Sequence, residues 1–129
     1  MSAFLCPDCG AATLAIVASI ELPADSRSDE IAVQAIACGK CGFTGAAAYE
    51  ESRRGSLDSE CWTHDGFRMP AERASALREL LRNCPSPGNQ ACTCRAHRQL
   101  GRALDGRWAG LGAWGAAERF VLRQAQSES

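Results

Sequence analysis

The chain has little lysine, little tyrosine and no long apolar run. Lys40 is the one lysine among 14 basic residues, and the composition includes a single tyrosine and two histidines. No stretch approaches the roughly 20 consecutive apolar residues needed to span a bilayer. The richest, Ala11 to Leu22, alternates as a strand does, which predicts a soluble protein with no membrane partner. The opening MSAFLCPDCG lacks the cationic and apolar segments of a secretory leader, so a cytoplasmic location is expected despite the eight cysteines. In a reducing compartment paired thiols more often hold metal than one another. The preference for arginine and the abundance of alanine fit a GC-rich bacterial genome and carry no functional weight.

With 129 residues there is room for one ordinary domain, or for two small ones that need help beyond a hydrophobic core. The net charge of −1 hides an asymmetry. Residues 1–65 carry ten acidic and four basic side chains, whereas residues 66–129 carry five acidic and ten basic ones. The C-terminal half is therefore the half that could meet a polyanion.

Leu14, Ile16, Ile20 and Leu22 stand at even spacing and predict a strand with those four on one side. Ile31, Val33, Ala35 and Ala37 repeat the pattern after a polar turn, giving a β-hairpin, and Phe43 to Glu50 can return as a third strand. Residues 51–69 have no sustained period and are expected to be a connecting loop. Pro70 opens a helix with Ala74, Leu77, Leu80 and Leu81 as its apolar stripe, and Asn83, Pro85 and Pro87 stop it. A second helix is expected around Ala96 to Leu104, and a third over 108–123, weakened by Gly110, Gly112 and Gly115. Residues 124–129 read as a frayed tail.

Two CxxCG motifs, Cys6-Pro7-Asp8-Cys9-Gly10 and Cys38-Gly39-Lys40-Cys41-Gly42, flank the predicted hairpin. Each turn aims two thiolates at one point, and two such turns complete the tetrahedron of soft donors that zinc takes. Neither pair precedes a helix, as a thioredoxin-like CxxC would. At these residues the chain resembles the zinc-ribbon superfamily over about its first 50 positions. The resemblance implies a β ribbon and a structural metal, and leaves function open, because ribbons serve in transcription, translation, RNA processing and protein contacts. A narrower similarity concerns Arg27-Ser28-Asp29-Glu30 in the hairpin loop. Eukaryotic and archaeal transcript-cleavage factors carry an acidic pair after Arg-Ser at this place, but the alanine they put between Ser and Asp is missing here and the loop is longer. A solvated turn with two carboxylates accounts for the same residues.

A second cluster, Cys84, Cys92, Cys94 and His97, lies within 14 residues and predicts a second zinc site joining two helices. Cys61 and His64 form a further CxxH half-site that could replace a ligand of that cluster or pack beside Trp62. The local set is preferred, since a short loop costs less entropy to close. With the eight best ligands placed in two closed shells, the chain is not expected to be an enzyme, and a Cys61/His64 pair lacks an orienting third group.

The expected architecture is thus α+β: a zinc ribbon over 1–50, a connecting loop over 51–69, a helical Cys/His module over 70–123, and a tail. Arg95, Arg98 and Arg102 are three and four apart and would share one helix face able to bind phosphates. The leading functional expectation is a zinc protein that engages RNA, DNA or a nucleoprotein machine through this basic module. Trp108, Leu111 and Trp114 form a stripe expected to pack on the Leu77, Leu80, Leu81 helix, or, if left uncovered, to be a homodimer or partner interface. The first alternative is a protein-interaction adaptor that binds through the ribbon edge and this stripe; the second is a thiol-based redox or metal sensor.

Overall fold

Where apolar alternation is strongest the chain forms three antiparallel strands, β1 (Leu14–Leu22), β2 (Glu30–Cys38) and β3 (Thr44–Ser52). The computed structural model describes residues 3–52 and 61–124. Two further strands, β4 (Cys61–Arg68) and β7 (Ala117–Val121), extend the same sheet in the order β1-β2-β3-β4-β7. Helix α1 (Ala71–Arg82) lies against β1, β2 and β3. A one-and-a-half-turn helix α2 (Arg95–Leu100) and a two-residue hairpin of β5 (Ala103–Leu104) and β6 (Arg107–Trp108) complete the described elements, together with a 3₁₀ turn over Gly112–Trp114. The α+β class holds in this form, mostly sheet with one substantial helix.

Both faces of the sheet are covered. On one, Ala74, Leu77 and Leu81 of α1 meet Ile20, Leu22, Ile31, Val33, Ala46 and Ala48. On the other, Phe4 and Leu122 cover Leu14, Ile36 and Ala47. The four β1 residues expected on one side are divided between these faces. Ile16 pairs with Ile36 but Ala18 with Ala35, so β1 carries one extra residue there. That bulge inverts the alternation, sending Leu14 to the Phe4 face and Ile20 and Leu22 to the helix face.

Beyond residue 50 the expected elements need correction. Residues 53–60 of the predicted loop lie outside the described residues, but 61–68 is strand β4, paired with β3 from Gly45–Arg68 to Ser52–Cys61. The expected helix over 108–123 is instead the end of β6, the 3₁₀ turn and β7. Gly110 and Gly115 take positive φ values of 80° and 86°, which a helix cannot hold, and the residues that follow bond to β4. The Phe120 ring lies over Gly66, where an added Cβ would come within 2.4 Å of it. The second helix also stops early, at Leu100 with Gly101 as its cap. Residue 50 is not a boundary, because β4, α1, α2 and β7 share the sheet and core of β1 to β3. Of the expected tail, Gln124 bridges Phe4, and 125–129 lie outside the described residues.

Leu111 is buried, and Trp108 and Trp114, half-buried, pack on the same core. The Trp108 indole N–H donates to the Leu100 carbonyl at 2.7 Å. The stripe therefore closes the α1 face through a loop and a 3₁₀ turn, without the helix expected for it.

Candidate metal centres

The first cluster sits at the end of the sheet where β1, β2 and the N-terminal segment meet. Both CxxCG turns fold alike: the N–H of Gly10 donates to the Cys6 carbonyl at 2.9 Å, and that of Gly42 to the Cys38 carbonyl at 3.2 Å. Gly10 and Gly42 stand at φ 75° and 84°, the left-handed region a side chain resists, which explains the glycine after each pair. The second turn is tied to the start of β1 by the Gly39 N–H on the Thr13 carbonyl, 3.1 Å.

The four sulfurs of Cys6, Cys9, Cys38 and Cys41 lie within 4.8 Å of one another. Cys6 and Cys41 are 3.6 Å apart and Cys9 and Cys38 3.8 Å, far beyond a disulfide bond. An ion about 2.3 Å from each of four tetrahedral sulfurs would space them about 3.8 Å apart. The donor set and its spacing therefore fit a metal ion, in a four-cysteine cluster compatible with a zinc-ribbon-like site.

Donors around the cluster favour thiolate. Backbone N–H groups of Lys40 and Cys41 point at the Cys38 sulfur at 3.3 and 3.4 Å, the Asp8 N–H at that of Cys6 at 3.4 Å, and the Thr13 hydroxyl lies 3.1 Å from Cys38 Sγ. The Thr13 hydroxyl first, then the Cys41 N–H, lower the Cys38 pKa to about 6. Cys41 is pushed up to about 12: the Phe43 N–H pulls it down, but burial and the neighbouring sulfurs outweigh that pull. Cys38 is thus poised to ionise while Cys41 holds its proton until a cation replaces it. Arg68 of β4 ion-pairs with Asp8 at 2.6 Å and lies 5.5 Å over the Phe43 ring. Asp8, chiefly, then Glu118 and last the Cys6 sulfur raise its pKa against the effect of burial, so a cation from β4 stands beside the first knuckle. Thr13 and Arg68 escape sequence reading, since neither belongs to a metal-ligand motif.

The second cluster brings Cys84, Cys92, Cys94 and His97 together as expected. Cys84 and Cys92 sulfurs are 3.9 Å apart, and the His97 Nδ1 lies 3.5 Å from Cys84 Sγ and 3.2 Å from Cys94 Sγ. Cys84 follows the Asn83 cap of α1, and Cys94 caps α2, its sulfur accepting the His97 N–H. The His97 Nε2–H donates to the Glu21 carbonyl of β1 at 2.8 Å. A carbonyl only accepts, so Nε2 carries a proton, and Nδ1, the nitrogen that faces the sulfurs, is the atom left to bind a metal. Pro87 returns the contact by accepting the Glu21 N–H at 2.8 Å. The cluster thereby covers the exposed edge of β1 at Glu21. Burial raises the Cys84 pKa to about 11. Burial opposes ionisation of Cys94 too, but donors from His97 and the other two thiols bring it down to about 6.

Cys61 and His64 join neither cluster. They are three residues apart on β4 and so face opposite sides of the sheet; Cys61 is exposed, and His64 Nε2 lies 2.7 Å from Gln34 Oε1. Arg95 and Arg98 are exposed on α2, and Arg102 is exposed beyond its end, where its carbonyl accepts the Ala109 N–H. The three-residue helical stripe is thus a pair on the helix and a neighbour outside it. In the Arg27-Ser28-Asp29-Glu30 turn, Ser28 is buried with its hydroxyl on Glu50, while Asp25 accepts the N–H groups of Arg27, Ser28 and Trp108.

Among the described residues no helix is long and apolar enough to cross a membrane. Comparison with models of protein families, with curated proteins and with solved structures gives no match for this chain.

Proposed function

We propose that this chain is a non-enzymatic zinc protein whose two structural ions brace one sheet, and that its arginine-rich C-terminal surface binds nucleic acid. Thiolate-dominated, four-donor sets favour zinc among the common ions, and a shell of four protein ligands leaves no open position for catalysis. The first ion would hold the N-terminal knuckles to the sheet, as in a zinc ribbon; the second would hold the α1–α2 loop to the β1 edge.

The observation that carries the nucleic-acid reading is that Arg95, Arg98 and Arg102 are exposed and have no ion pair among the described residues. They also surround a rigid anchor, since His97 between them is fixed by the second cluster. Exposed guanidinium groups carried on an anchored backbone suit phosphate oxygens. For the adaptor reading, Leu111 is buried while Trp108 and Trp114 pack half-buried on the core, which leaves the stripe a smaller surface to offer a partner.

The test is binding to RNA and DNA across a salt series. Replacing all three arginines by glutamine is expected to leave zinc content intact, weaken binding, and flatten the log–log salt slope by about two to three units, at about 0.7 to 0.9 per phosphate contact. Parent protein that binds neither polymer at low salt, or a triple variant that binds as well as the parent, overturns the reading.

A further inference from the structure

We propose that the aromatic cavity on the sheet face opposite α1 binds a quaternary ammonium group, a site separate from the arginine surface. Cross-strand pairing sets Tyr49 opposite His64 and Glu51 opposite Trp62. The Tyr49 and Trp62 rings stack with centroids 6.3 Å apart and planes 27° apart. His64 stands edge-on to Phe4 at 5.3 Å and to Tyr49 at 5.6 Å. With Leu122 and Gln124, these four rings line a cavity of about 430 Å³.

Trp62 is 62% exposed, the largest apolar side chain left open among the described residues, and it forms the outer wall. An exposed indole stacked on a second ring presents a broad negative quadrupole face. The Tyr49 hydroxyl donates to the carboxylate of Glu51, whose residue is only 8% exposed, and this pushes electron density into the phenol ring. His64 adds no positive charge near neutral pH, because burial, only partly opposed by Asp65, lowers its pKa below 6.5. Among the described residues no lysine or arginine lines the cavity. Electron-rich ring faces backed by a carboxylate, with few polar atoms converging on one point, fit a large and weakly hydrated organic cation better than a metal ion, which needs oxygen donors.

Choline chloride is the probe, titrated at constant ionic strength against the zinc-loaded protein and followed by the Trp62 indole N–H resonance. Saturable binding is expected at millimolar concentration, with the uncharged isostere 3,3-dimethylbutan-1-ol at least about tenfold weaker, since it fills the same volume without the cation–π attraction. Trp62→Leu is expected to abolish binding while zinc content and unfolding midpoint stay unchanged; because Trp62 is exposed, this variant will fold. Glu51→Gln should weaken choline several-fold and leave the isostere unaffected. Equal binding of choline and the isostere, no binding of choline by the parent, or full binding by Trp62→Leu each overturns the proposal.

Discussion

On the proposed reading, replacing His97 by alanine removes two things at once, a metal ligand and the donor that holds the β1 edge. If zinc binds the folded state alone and is buffered about a thousandfold above its Kd, the linkage contributes about 4 kcal/mol, most of which goes when the site falls to three thiolates. The Glu21 carbonyl then loses its His97 partner, a further 1 kcal/mol or so, because Glu21 is half-buried and water replaces part of the bond. The expected total, about 4–5 kcal/mol, is a large share of the roughly 5–15 kcal/mol typical of a domain. At about 3–4 °C per kcal/mol this lowers Tm by about 15 °C. The assay is thermal unfolding at buffered free zinc, with elemental analysis of the same samples. The two contributions separate on chelation: stripping zinc from parent and variant should shrink their difference to the hydrogen-bond part. A His97→Ala protein that keeps two ions per chain and melts within about 2 °C of the parent would refute both the site and its role at the strand edge.

Cys38→Ser is expected to remove one zinc ion and leave the other, since the two clusters share no ligand; retention of both ions by elemental analysis would exclude the first site. Gly66→Ala should destabilise by about 1–3 kcal/mol in urea unfolding, because the new methyl meets the Phe120 ring at 2.4 Å, and Phe120→Leu in the same chain should recover part of the loss. An unchanged midpoint for Gly66→Ala would show that β7 does not pack on β4 as described. His64, lowered by burial, contributes stability that is present above its unfolded value of 6.5 and lost as pH falls through its folded value. Measured as the parent minus the His64→Gln variant, stability should therefore decline below pH 6.5, and an NMR titration of the imidazole should give a midpoint under that figure. A midpoint at or above it would contradict the buried setting.

Both candidate metal-holding clusters were legible because metal chemistry is written locally. A CxxCG turn specifies two thiolates and a left-handed glycine within five residues, and Cys84 to His97 closes within a single short loop. The α1 stripe and the strands β1 to β3 were legible for the same reason, their periods being carried by consecutive side chains. What failed was non-local. Cys61–Arg68 has no apolar alternation and becomes a strand because β3 offers its free hydrogen-bonding edge on one side and β7 pairs on the other. The Trp108 to Val121 segment carried a helical spacing, but Gly110 and Gly115 favour turns, and pairing with β4 rewards an extended chain. The aromatic cavity was invisible for the same cause, since Tyr49, Trp62 and His64 meet only once β4 is a strand.

The sequence by itself therefore determined which side chains could hold metal and which segments had a strong intrinsic period. Tertiary structure decided which face each strand shows, through the bulge after Ile16, and which edge each cluster guards, through the Glu21 carbonyl. It also joined the two expected modules into one sheet. A strand's place depends on a partner's unpaired N–H and C=O groups, which the strand's own residues do not encode.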